Sequence, residues 1–173
     1  MALPSIEIEA YHEAIKNVLE PLFPDVKYWG TYETLQEAST PAVLIQVTDF
    51  ENTYYSIADG RMQLMMNVNI RIMDDFHKDN VRMNIRKLAL KIAEACHDNQ
   101  FGLAITPAEI RSIERDVFDK NYGRYDMMVV EFVQSGVFGA LPEEDIFQAS
   151  QVMTSFSPDI GAVHEEDYEE VAE

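Results

Sequence analysis

RMQLMMNVNIRIM, residues 61–73, is the stretch on which the fold turns. Met62, Leu64, Met66, Val68, Ile70 and Ile72 alternate with Arg61, Gln63, Met65, Asn67, Asn69, Arg71 and Met73. A period of two sends successive side chains to opposite faces, so the pattern predicts one long strand with a buried face and a largely polar face. At about 3.3 Å per residue it spans about 40 Å, close to the diameter of a domain of this size. A strand that long overhangs its own core and offers unpaired backbone to a neighbour.

The flanking segments supply the rest of a sheet. AVLIQVTDFE (42–51) places Val43, Ile45 and Val47 on one face, a strand pattern, and VKYWGTYE (26–33) suits an edge strand. Residues 34–41 are polar and read as a loop ending at Pro41, and NTYYSIADG (52–60) reads as a loop or hairpin extension with a turn at Asp59-Gly60. Gly102 and Pro107 punctuate a short apolar segment at 103–105. AEIRSIERDVF (108–118) has helical spacing at Ile110 and Ile113, but DKNYGRY (119–125) resembles a hairpin connection, which favours a strand. Its partner YDMMVVEFVQ (125–134) is apolar on both faces, as a central strand is.

Two segments carry the helical period instead. Residues 5–20 place Ile8, Tyr11, Ile15, Val18, Leu19 and Leu22 on one stripe, with Ser5 as the expected cap and Pro21 and Pro24 as stops. Residues 79–97 do the same with Val81, Ile85, Leu88, Ile92 and Ala95 or Cys96, capped by Asp79. The expected fold class is α+β: a largely antiparallel sheet with helices packed on one face and a long overhanging strand or hairpin.

At 173 residues and 47% hydrophobic, the chain can bury a core without staples. A domain over 1–141 and an acidic extension over 142–173, mobile or docked on a neighbour, are expected. The extension holds ten of the 31 acids and no Lys or Arg, leaving 21 acids and all 13 bases in residues 1–141. Ile146, Phe147, Val152, Met153 and Phe156 make it too apolar for a purely solvating tail. A net charge of −18 repels phosphate backbones and anionic lipids, so neither sequence-specific nucleic-acid binding nor a membrane partner is expected. The one basic cluster, Arg82, Arg86, Lys87 and Lys91, reads as a solvated helix face. A lone cysteine, no apolar run of spanning length and no basic leader make the cytoplasm the expected compartment.

Residues able to do chemistry are scattered. His12, His77, His97 and His164 form no metal-ligand or triad spacing, and the plain reading of each is a surface or half-buried histidine. Cys96 and His97 are adjacent on a helix, where side chains diverge by about 100°, so a core cysteine is favoured over a nucleophile. No glycine cluster cradles a phosphate. Asp49 with Glu51, Asp74 with Asp75, and Glu114 with Asp116 are acid pairs at strand ends that in principle hold Mg²⁺ or Ca²⁺. Solvated strand ends explain them more simply, because a metal nuclease needs the opposite surface field. No catalytic, cofactor-binding or metal residue is expected, and no cofactor.

The helix at 5–20, PAVLIQVTDFE (41–51), the strand 61–73, the helix 79–97 and SIERDVFDKNYGRYDMMVVEFVQ (112–134) together resemble the tail terminator, or tail completion, proteins of long-tailed bacteriophages, the Mu-like group in particular. The likeness lies in the order of elements and a few local phrases over about 130 residues, not in a signature motif. It implies a non-enzymatic virion protein that forms a ring of its own copies, usually a hexamer, on the last ring of tail tube protein. Such a ring ends tube polymerisation, receives the head–tail connector, and passes from host cytoplasm to the neck end of the virion tail. The competing readings are another neck or tube component of the same fold, an acidic binding module or inhibitor, and an enzyme. For the ring, Asn67, Asn69 and Arg71 on the solvent side of the long strand are candidate interface residues, with Phe147, Met153 and Phe156 in the extension.

Overall fold

The computed structural model describes residues 4–31, 39–56, 60–116, 125–140, 153–154 and 169–170. The chain forms two compact units, Met1–Leu141 and Pro142–Glu173.

The first unit is an α+β domain built on a five-stranded sheet. In chain order its strands are β1 (Tyr28–Thr31), β2 (Ala42–Ser56), β3 (Met62–Asp75), β4 (Glu109–Arg115) and β5 (Tyr125–Phe138), and its helices are α1 (Ile8–Leu19) and α2 (Val81–Cys96). The spatial order is β1-β2-β3-β5-β4. All pairs are antiparallel except β1 with β2, whose four-residue ladder runs parallel from Tyr28↔Ala42 to Thr31↔Ile45. In the second unit β6 (Met153–Thr154) pairs antiparallel with β7 (Glu169–Glu170).

Period-two patterning decides what the helices cover. Val43, Ile45 and Val47 of β2, alternate residues 66–72 of β3, and Met128, Val130 and Phe132 of β5 are buried on one face. Tyr11, Ile15 and Leu19 of α1 and Ile85, Ala89, Ile92 and Cys96 of α2 belong to the same cluster, so both helices pack on that face. At about 25 cal/mol per Å² of apolar surface removed from water, this cluster is the main source of stability. A small second cluster, Ala42, Leu44, Met73 and Met127, lies on the opposite face at one end of the sheet.

Three sequence expectations give way. α1 begins at Ile8, not near Ser5, and Glu7 at its start makes no side-chain cap. The Ile6 amide is spent instead on the Val137 carbonyl, 2.8 Å away, which binds this stretch to the edge of β5. α2 starts from Asn80 in the left-handed conformation, again without a side-chain cap, so Asp79 is not its cap. Leu22 lies in a 3₁₀ turn beyond α1 and is 58% exposed, because the tighter turn rotates it off the apolar stripe. β2 runs on to Ser56, so of the two readings of residues 52–60 the hairpin extension holds for the first five. The turn at Asp59-Gly60 and the connection at 119–125 lie largely outside the described residues.

Candidate assembly interface

The outer strands are short and the inner strands long. β1 reaches only Ile45 of β2, and β4 covers β5 only between Met128 and Val133. Beyond those limits β2, β3 and β5 continue as three strands, with Met62 opposite Phe138 and Leu64 opposite both Gly136 and Asn52. The overhang keeps the apolar pattern of the covered face, but α1 begins too late to cover it.

The result is an open apolar groove of about 640 Å³. Phe50, Met62, Leu64 and Phe138 form its floor, residues 5–8 one wall, and Gly139 and Ala140 its rim. Phe50 and Phe138 meet edge to face, with centroids 5.7 Å apart. Phe50 is 45% and Met62 58% exposed. The wall is fixed by sterics as well as by the Ile6–Val137 hydrogen bond. A Cβ on Gly136 would come within 2.0 Å of Ile6 Cδ1, so any side chain here would push the end of Ile6 out of its place.

The open edge of β2 borders this groove. Past Ile45 its outer side pairs with no strand among the described residues. Register shifts interrupt its inner side between Val47 and Asp49 and between Asn52 and Ser56. Hydroxyls repair the ladder there: Thr48 Oγ1 donates to the Asn67 carbonyl (3.1 Å) and Thr53 Oγ1 to the Gln63 carbonyl (2.9 Å). Bulges of this kind bend and twist an edge, which blunts indiscriminate pairing.

The candidates expected from sequence do not converge on the groove. Asn67, Asn69 and Arg71 share the other face. Asn67 Nδ2 donates to Glu51 Oε1 (2.8 Å), and Asn69 is half-buried. Arg71 is engaged within the subunit, with Nε 3.2 Å from Asp116 Oδ2 and Nη1 2.5 Å from Gln46 Oε1. It ties β2, β3 and the end of β4 together. Phe147 and Phe156 lie outside the described residues, and Met153 opens β6. Sequence reasoning missed Ile6, Phe50 and Phe138 and counted Met62 and Leu64 as core. The available signal was the length of the alternating run compared with the helices that could cover it.

The chemistry-bearing groups are accounted for individually. Asp74 and Asp126 occupy opposed positions on β3 and β5, both buried. Lys78 Nζ neutralises the first at 2.5 Å and Arg115 Nη2 the second at 3.0 Å. Among the described residues no three His, Cys, Asp or Glu converge as a metal site would require. His12 is buried, Nδ1–H donates to the Ile8 carbonyl (2.8 Å), and desolvation lowers its pKa despite Glu9 and Glu13 nearby. His77 stacks on Phe76 with centroids 3.9 Å apart. Burial pushes the Cys96 thiol up to about 12, which removes the thiolate that nucleophilic chemistry needs. Among the described residues no helix is long and apolar enough to cross a membrane.

No protein-family model matches the chain. No curated protein matches it in sequence. Among the solved structures similar to it, one matches over 80% of this chain and 100% of its own length, at 12% identity and a TM-score of 0.45, and its name states no function.

Proposed function

We propose that this chain is a structural, non-enzymatic subunit of a closed ring that caps the tail tube of a long-tailed bacteriophage. The ring ends tube polymerisation and presents a surface to the head–tail connector. The observation that carries the assembly role is the uncovered overhang, where exposed Phe50 and Met62 adjoin the open edge of β2. An exposed apolar patch beside an open strand edge is costly unless a partner covers both. A heterologous contact between copies does so, and closes into a ring when its rotation allows. The particular place in the tail rests on the resemblance of element order and local sequence described above.

The decisive measurement is the mass of the protein in solution, alone and after mixing with tail tube protein. Discrete closed oligomers are expected, together with tubes that stop growing once one such ring is added. Unlimited filaments of this chain alone would mark a tube component instead. A strict monomer at high concentration, with and without tube protein, would sink the assembly reading.

A further inference from the structure

α2 has a second face that the core does not use. Val81, Ile85, Ala89, Ile92 and Cys96 point into the sheet, while Arg82, Met83, Arg86, Lys87, Leu90 and Lys91 are exposed over about three turns. Met83 is 57% and Leu90 53% exposed. Among the described residues the Arg86 guanidinium hydrogen-bonds only to the Arg82 carbonyl of the same helix. Among the described residues none of the four cations is ion-paired. Glu94 is the only acid on the exposed face. A chain of net charge −18 thus keeps four of its 13 bases together, unneutralised, around two apolar side chains.

That surface is complementary to one stretch of the same sequence. Pro142–Glu173 carries ten acids and no Lys or Arg, interspersed with Ile146, Phe147, Met153 and Phe156. We infer that the exposed face of α2 receives the acidic segment of a second copy of this chain. The carboxylates meet the four cations, and the large apolar side chains meet Met83 and Leu90. The two halves are different patches of one molecule supplied in equal number, so the contact suits head-to-tail repetition from copy to copy. It is independent of the groove and goes beyond the proposed ring, which could close through the sheet edge alone. Ion pairs at an exposed surface are screened beyond about 8 Å at physiological ionic strength, so this contact weakens as salt rises.

Charge reversal in the full chain tests it by sedimentation. One variant carries Arg86→Glu, Lys87→Glu and Lys91→Glu; the other carries Glu143→Lys, Glu144→Lys, Glu165→Lys and Glu166→Lys. The first moves the net charge from −18 to −24 and the second to −10, so both stay acidic and do not attract each other indiscriminately. Wild type should associate and dissociate with salt, each variant alone should associate at least tenfold more weakly, and an equimolar mixture should regain wild-type association. All substituted positions lie on the exposed helix face or in the acidic segment, and circular dichroism confirms folding. Wild-type association by either variant alone, or a mixture no better than its parts, would overturn the inference. If the helix variant keeps its ring while Phe50→Ser loses it, the inference fails and the proposed function stands. A random DNA duplex bound by wild type but not by the helix variant, with no change in self-association, would assign the face to nucleic acid and also overturn it.

Discussion

At the scale of single residues, the most consequential side chain is one the sequence barely marks. Gln134 closes the apolar run of β5 and is 1% exposed. Its Oε1 accepts from the Tyr11 hydroxyl (2.6 Å), and its Nε2 donates to the Asn99 and Thr106 carbonyls (both 2.8 Å). One amide therefore joins α1, β5 and the turn after α2. Replacing Gln134 by Leu strands the buried Tyr11 hydroxyl and the Thr106 carbonyl, while the Asn99 carbonyl keeps the Ala108 N–H (3.0 Å), at about 1–3 kcal/mol for each group left unpaired without relaxation. A net loss of about 2–4 kcal/mol is expected from urea unfolding, and less than 0.5 kcal/mol would show that these bonds are not needed. Tyr11 and Cys96, in the same buried cluster, give alkaline sensitivity. Burial raises the Tyr11 phenol well above its ordinary 10.0, helped by Cys96, and takes the Cys96 thiol from 9.0 to about 12. Both folded values are raised, so their stabilisation is complete below the unfolded pKa and is lost as pH rises, first from Cys96 above about 9 and then from Tyr11 above about 10. The fall approaches 1.4 kcal/mol per pH unit for each group. Cys96→Ala should lower the plateau yet remove the first part of the decline, and an unchanged profile would refute the assignment. Patterning showed that Tyr11 and Cys96 were core. It could not show Gln134, because a polar residue ending an apolar strand looks like the edge of burial until its partners, 28–123 positions away in sequence, are known.

At the scale of elements, the strands and helices were legible where burial imposed a period and were lost where it did not. Residues 66–72 of β3, the stripe of α2 and the double-sided burial of β5 follow the sequence pattern, because each faces the core. For the end of β2 the sequence leaves loop and hairpin extension open, because residues 52–56 lie on the overhang, where no helix rewards alternation; the structure takes the extension. The start of α1 was misplaced for a related reason. Ser5 and Glu7 look like the opening of a helix, but tertiary contacts hold Ile6 on β5 and give its amide a strand partner. The parallel pairing of β1 left no trace, since four residues carry no signal of direction. The Ile6–Gly136 contact tests this element-level account. Gly136→Ala places a methyl against Ile6 and Ile105 and should cost about 1–3 kcal/mol by overpacking. In an Ile6→Ala background the same substitution should cost markedly less, because the clash with Ile6 Cδ1 is gone. Additive effects in that double-mutant cycle, measured by urea midpoints, would mean that the N-terminal segment is not held against β5 as described.

At the scale of the whole molecule, stability and assembly should be separable. The core lies beneath the helices, around residues 66–72 of β3; at the groove, at the other end of the same strands, Ile6, Ile8 and Phe138 pack against it, whereas Phe50 and Met62 do not. Phe50 and Met62 are each about half exposed, so replacing both by Ser should change the stability of a single subunit by little more than about 0.5 kcal/mol. Association acts differently. A partner that binds only the folded state stabilises it by mass action, and each tenfold rise in protein concentration adds up to about 1.4 kcal/mol per contact above its dissociation constant. For a chain of this length, that corresponds to at most about 3–6 °C in Tm per tenfold. Wild type and the Phe50→Ser, Met62→Ser variant should therefore melt together at high dilution and diverge as concentration rises, with wild type climbing and the variant flat. Calorimetry over three decades of concentration makes the comparison. A wild-type Tm that does not move, or a variant that climbs in parallel with it, would show that the groove is not where copies of this chain meet. A variant already destabilised at high dilution would show instead that Phe50 and Met62 belong to the core, and that the overhang is part of the fold after all.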